Sequence, residues 1–229
     1  MKTIGILGGM SWESTTEYYK FLNELAKEKL GGLYSAKCLI YSVDFGPIAA
    51  AMAEGNWSLI EKELIAAAQK LEGAGADLLI MGTNTMHKMA DQISAAVSIP
   101  FLHIADCAAE ALKAANIKKA GLMGTKPTME MDFYREKLAA KDLEVITPGD
   151  DDRTELHRII FEELCRGVIS ESSRQKGLAM LERLAAAGAE GMLLGCTELS
   201  LLFRPQDTPL PLFDTAEIHA KAASKAALL

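Results

Sequence analysis

Gly73–Thr85 reads GAGADLLIMGTNT and Ala186–Glu198 reads AAGAEGMLLGCTE, and the likeness of these two stretches decides the fold. In each, a short apolar run (DLLIM, GMLL) ends in a glycine followed by a small polar residue, Thr83 after Gly82 and Cys196 after Gly195. Runs with no polar alternation fit strands of a parallel sheet covered on both faces. A second pair matches in the same order: IGILGGMSWESTTEYYKFL, with Gly5 in its first strand, resembles AGLMGTKPTMEMDFYREKL, with Gly121 in the same place. Gly5 and Gly121 stand 116 residues apart, Gly82 and Gly195 113. A period above a hundred residues marks a duplicated domain and not a solenoid.

The expected architecture is therefore α/β, two pseudosymmetric parallel-sheet domains with an active-site cleft between them. A βα rhythm supports it. Thr3 to Leu7 reads as a strand and Ser14 to Leu30 as a helix stopped by Gly31 and Gly32. Lys37 to Val43 follows as a strand, Ser58 to Leu71 as a helix opened by a Ser58-x-x-Glu61 capping box, and Asp77 to Met81 as a strand. Pro100 ends the first half and FLHIAD is expected to begin a new strand. After Pro209 and Pro211 the chain is expected to return to the first half, as a strand LPLFD and a helix from Ala216 to Leu229. The domains are thus 1–98 with 212–229, and 99–211.

Composition bounds the function. The 229 residues are 49% hydrophobic, enough for a substantial core. With 24 Lys+Arg against 31 Asp+Glu the net charge is −7, the wrong sign for a nucleic-acid or anionic-membrane surface, so a small-molecule partner is expected. No run of about 18 to 20 apolar residues and no signal-peptide pattern is present, which points to the cytoplasm. Cys38, Cys107, Cys165 and Cys196 are scattered, with no CxxC pair, and read as free thiols. His87, His103, His157 and His219 show no metal-ligand spacing, and no metal is expected.

Ligands of open parallel sheets bind beyond the carboxyl ends of the strands. That selects Thr83-Asn84-Thr85 and Cys196-Thr197-Glu198, each expected before a helix N-terminus whose free N–H groups favour a carboxylate. Duplicated halves imply an approximate twofold axis, which would set Thr83 and Cys196 on opposite sides of one cleft. Two groups on opposite faces of one carbon are what inversion of a stereocentre requires, one removing a proton and the other delivering one. A helix N-terminus would lower the Cys196 pKa toward thiolate; the other three cysteines are read as core. Met10 and Ser11, in the turn Gly8-Gly9-Met10-Ser11, and Thr125, in the matching turn Gly124-Thr125-Lys126-Pro127-Thr128, could present backbone amides to a carboxylate. Neither GxGxxG nor GxSxG is present there. Glu198 is either an assistant to Cys196 or a substrate contact, or else a helix-start acid; His87 could share a helix face with Thr83 or be structural.

Taken together, GILGGMSWEST, MGTNTMH, HIAD and GAEGMLLGCTELSLL resemble the cofactor-independent aspartate/glutamate racemases over nearly the whole chain. The resemblance implies racemisation by a two-base mechanism without pyridoxal phosphate or other cofactor, an amino-acid substrate, and a homodimer. Family members commonly carry a cysteine in each half; here Cys196 matches one and Thr83 stands in place of the other. The segment from Ser42 to Asn56 lacks the arginine often found there, so Arg166 in ELCRG becomes the candidate partner of a substrate carboxylate, against a reading as a surface helix-end cation. The alternatives are a single-cysteine relative, such as a hydantoin racemase, a malonate-type decarboxylase or a maleate isomerase, or a binding protein with reduced catalysis.

Overall fold

The structure, a computed structural model, describes residues 1–228. The chain forms two compact units, Met1–Ile104 with the chain from His219 onward, and Ala105–Ile218.

The first unit opens with β1 (Ile4–Gly8), then α1 (Trp12–Leu30), β2 (Cys38–Ser42), α2 (Phe45–Ala53), α3 (Trp57–Gly73) and β3 (Leu78–Met81). A 3₁₀ turn (Thr85–Met89) and α4 (Ala90–Ala95) follow. Its sheet is parallel in the order β2-β1-β3. β1 is buried at every position, as its unalternating apolar sequence requires. α1 starts where the Ser11 side chain accepts the Ser14 N–H, so its first turn takes in Trp12 and Glu13 as well. α3 is capped by Asn56, which accepts the Leu59 N–H, in place of the expected Ser58-x-x-Glu61 box. That helix buries Ile60, Leu64, Ala67, Ala68 and Leu71, one face at helical spacing. Each fully buried Ile or Leu contributes about 1.5–3 kcal/mol. Between β1 and α1, Gly9 has φ +91°, and a Cβ there would lie 2.3 Å from the Val43 carbonyl oxygen, so the turn accepts only glycine.

The second unit runs α5 (Ile104–Ala114, its first residue closing the first unit), β4 (Lys119–Gly124), α6 (Lys126–Glu130), α7 (Asp132–Ala139), β5 (Glu144–Ile146) and α8 (Asp150–Arg158). A π turn (Ile159–Glu163) and a 3₁₀ turn (Leu164–Arg166) lead to α9 (Glu171–Ala186), β6 (Gly191–Gly195), α10 (Leu199–Leu202) and β7 (Leu212–Asp214). The sheet is parallel, β5-β4-β6-β7. Its first three strands repeat the order of the first unit, and the register repeats as well: Gly5 pairs with Leu79, and Gly121 with Met192, 113 residues beyond Leu79. Both strand glycines admit a tightly packed neighbour, since a Cβ would come within 2.9 Å of Ala76 Cβ at Gly5 and 2.6 Å of Met192 Sδ at Gly121.

Two expectations are corrected. FLHIAD is not a strand: only Phe101 bridges to Leu79, and the helix α5 begins at Ile104, its N–H met by a buried histidine. LPLFD does not return to the first half; β7 pairs with β6, because Met192–Leu194 leaves an open edge that an apolar strand covers. α2 was not foreseen, its mostly apolar sequence FGPIAAAMA having no clear amphipathic period; Asp44 caps it by accepting the Gly46 N–H. The last helix, α11 (Thr215–Leu228), starts in the second unit and its residues from His219 belong with the first; Leu229, included in the expected helix, lies outside the described residues. No helix among the described residues is long and apolar enough to cross a membrane.

Candidate active site

At the carboxyl end of β3, Gly82 donates its N–H to Leu7 O and Thr83 donates its own to Met81 O, both at 2.9 Å. The Thr83 carbonyl lies 2.7 Å from His87 Nδ1. Because His87 Nε2 accepts the Ile104 N–H at 3.2 Å, the ring proton sits on Nδ1 and is donated to Thr83. Thr83 is half-buried, and its hydroxyl makes no hydrogen bond among the described residues. Asn84 and Thr85 beside it are buried, and the Asn84 carbonyl accepts the His87 N–H at 3.1 Å. The segment after Thr83 is a 3₁₀ turn and not the expected helix start, so no helix N-terminus is offered there.

His87 belongs to a buried aromatic cluster. Its ring centroid lies 4.7 Å from that of His103, 5.6 Å from Phe101 and 5.7 Å from His219. His219 accepts from the Tyr18 hydroxyl at Nδ1 (2.9 Å) and donates from Nε2 to Leu102 O (2.9 Å). Burial, reinforced by the neighbouring histidines, pushes the His87 pKa well below its ordinary value. Burial likewise takes His219 down to about 4. Both are neutral at physiological pH. Despite this crowding, no group of His, Cys, Asp and Glu among the described residues is arranged to hold a metal ion.

At the carboxyl end of β6, Cys196 Sγ donates to Glu198 Oε2 at 2.9 Å, and Thr197 Oγ1 donates to the same oxygen at 2.8 Å. Glu198 is only 6% exposed, while Cys196 packs against the core yet keeps partial exposure. The thiol pKa is raised well above its usual value, first by burial, then by the Glu198 carboxylate and Cys165. This corrects the expectation of a thiolate. α10, with four residues, has too small a dipole to oppose desolvation and an adjacent anion. Cys196 rests as a thiol with a carboxylate acceptor in contact.

Met10 sits in the core of the first unit at 5% exposure, so its side chain is a packing group and only its backbone is left for a ligand. Ser11 is buried and caps α1, and Thr125 caps α6 by accepting the Thr128 N–H at 3.4 Å. Arg166 is exposed on the 3₁₀ turn after the π turn and forms no ion pair among the described residues, unlike Arg158, which binds Glu155 and Glu163. It adjoins Cys165, a neighbour of Cys196. In the sequence His87 is marked only by its spacing from Thr83, and nothing there signals that His219 joins it in a cluster.

The site therefore consists of parallel α/β units of repeated topology, with a thiol–carboxylate pair at one strand end and, at its counterpart, a hydroxyl that makes no hydrogen bond among the described residues. A family model for the Asp/Glu/Hydantoin racemases matches residues 7–223, and the chain belongs to that family. A protein from Yersinia pestis assigned as an Asp/Glu racemase has a structure similar over 100% of both chains at 50% identity, TM-score 0.94. An aspartate racemase homologue from Pyrococcus horikoshii is similar over the same full lengths at 38% identity, TM-score 0.87. The broad-specificity amino-acid racemase RacX of Bacillus subtilis is 25% identical over 96% of this chain and 95% of its own.

Proposed function

We propose that this protein racemises acidic or similar polar amino acids without a cofactor, using Cys196 and Thr83 on opposite faces of the substrate Cα. The observation that carries the reading is the Cys196–Glu198 contact at the strand end that the internal repeat equates with Thr83. A resting thiol is a proton donor: it protonates a Cα carbanion and becomes a thiolate. In the other direction Glu198 takes the thiol proton, and the thiolate then removes the Cα proton of the enantiomer that faces it. Thr83, an alcohol, is a competent donor to a carbanion but a poor base. The enantiomer whose Cα–H faces Thr83 therefore needs the hydroxyl proton relayed away, and the two half-reactions differ in ease. Substrates with a second carboxylate are the reading favoured by the family and by the exposed guanidinium of Arg166, which has no ion pair among the described residues. Asn84, Thr85, Ser11, Thr125 and Thr197 are the polar groups proposed to hold the ammonium and α-carboxylate.

The test follows Cα deuterium incorporation by NMR with each enantiomer of aspartate and glutamate. Wild-type protein should exchange at least one of them, and Cys196→Ser should slow turnover by about 10²–10⁴-fold while leaving thermal unfolding unchanged. If neither amino acid exchanges, acidic substrates are out, leaving hydantoins or a decarboxylation; wild-type kinetics in Cys196→Ser would remove the thiol from the mechanism. Thr83→Cys should raise activity on a competent scaffold, and binding without turnover in that variant would mark a binding protein.

A further inference from the structure

Both backbone polar groups of Thr83 are tied down, the N–H to Met81 O and the carbonyl to His87 Nδ1, while its hydroxyl is left without a partner among the described residues. The second nitrogen of His87 holds the N–H of Ile104, the last residue of the first unit before the chain crosses into the second. His219, where the chain re-enters the first unit, lies against the same ring and binds the carbonyl of Leu102, two residues before that crossing. One imidazole thus joins the turn that carries Thr83 to the outgoing chain, within a stack that also secures the incoming chain. Neither ring has a nitrogen to spare: each donates once and accepts once, so neither serves as an acid or base toward substrate.

We infer that His87 is a positioning residue, which by clamping the Thr83 carbonyl against the Ile104 amide aims the Thr83 hydroxyl for proton transfer. The inference rests on the two-base reading above. A threonine hydroxyl has one stiff torsion to its backbone, so its place is set by the peptide that bears it, and proton transfer is sensitive to displacements of about 1 Å.

The experiment compares His87→Asn, whose amide keeps a donor near the Nδ1 position, with His87→Gln, which places its amide near Nε2, and His87→Leu, which keeps neither. Racemisation by chiral detection and Cα deuterium exchange are measured on each enantiomer separately. In His87→Gln and His87→Leu inversion should fall about tenfold to a hundredfold in kcat with KM little changed. Exchange with retention at the face served by Cys196 should persist, because Glu198 still returns solvent protons to the thiol. His87→Asn should invert within a few-fold of wild type. A merely structural role would lower exchange on both faces together. Inversion at the wild-type rate in His87→Gln, parallel loss at both faces, or His87→Asn no better than His87→Gln overturns the inference, and the Asn–Gln comparison decides it if the leucine variant does not fold. Thr83→Val tests the underlying reading on its own: wild-type inversion there sinks the two-base mechanism whatever His87 does.

Discussion

Tyr18 in α1 and Tyr134 in α7 stand at equivalent places of the duplicated halves, 116 residues apart, and both are completely buried. The Tyr18 hydroxyl meets His219 at 2.9 Å, whereas the Tyr134 hydroxyl has no hydrogen-bond partner among the described residues. The two strand ends diverge in a comparable way. Thr83 has a fixed backbone and a side chain unpaired among the described residues; Cys196 has its side chain paired to a carboxylate. Duplication has kept what packing demands, namely strand order, register and the glycines of β1 and β4. Polar partners were free to change, and they changed so that buried imidazoles collect behind one strand end and an acid–thiol pair at the other.

The sharpest way to break this comparison is Glu198→Gln, which should cut turnover by about 10²-fold or more by removing the acceptor of the thiol proton. The same change takes away a negative charge, so the Cys196 pKa should move down, although burial keeps it raised. The rate of iodoacetamide alkylation against pH reads that shift; an unchanged profile would detach Glu198 from the thiol.

Acid should separate the halves next. The folded pKa of His219, about 4, lies below an unfolded value near 6.5, so the unfolded chain binds more protons between them. That contribution is full above pH 6.5 and is lost progressively as pH falls toward 4, on the order of 3 kcal/mol at the low end, and His87 adds to it in the same direction. Hydrogen exchange in α1 and at the end of α11 should accelerate over that window before exchange in β4 and β6 does. Simultaneous loss of protection would show that the buried histidines do not govern acid stability.

The smaller effects are the tyrosines. Tyr18→Phe leaves His219 Nδ1 without its donor and should cost about 1–3 kcal/mol in thermal or denaturant unfolding. Tyr134→Phe removes a hydroxyl that is buried unsatisfied, and should be neutral or stabilising by about 1 kcal/mol. Equal losses in the two variants would erase the asymmetry.

The chain by itself determined the duplicated α/β plan, the parallel sheets and the two strand-end motifs, because these rest on local hydrophobic runs and on glycines whose spacing is written in the sequence. Element limits slipped where a cap overruled a pattern, as Ser11 did for α1 and Asn56 for α3. Only tertiary structure decided that β7 joins the second sheet, that His219 reaches Tyr18 across 201 positions of sequence, and that Cys196 rests protonated. Open sheet edges, buried polar partners and desolvation are properties of what surrounds a residue once the chain has closed on itself, and its sequence neighbours do not carry them.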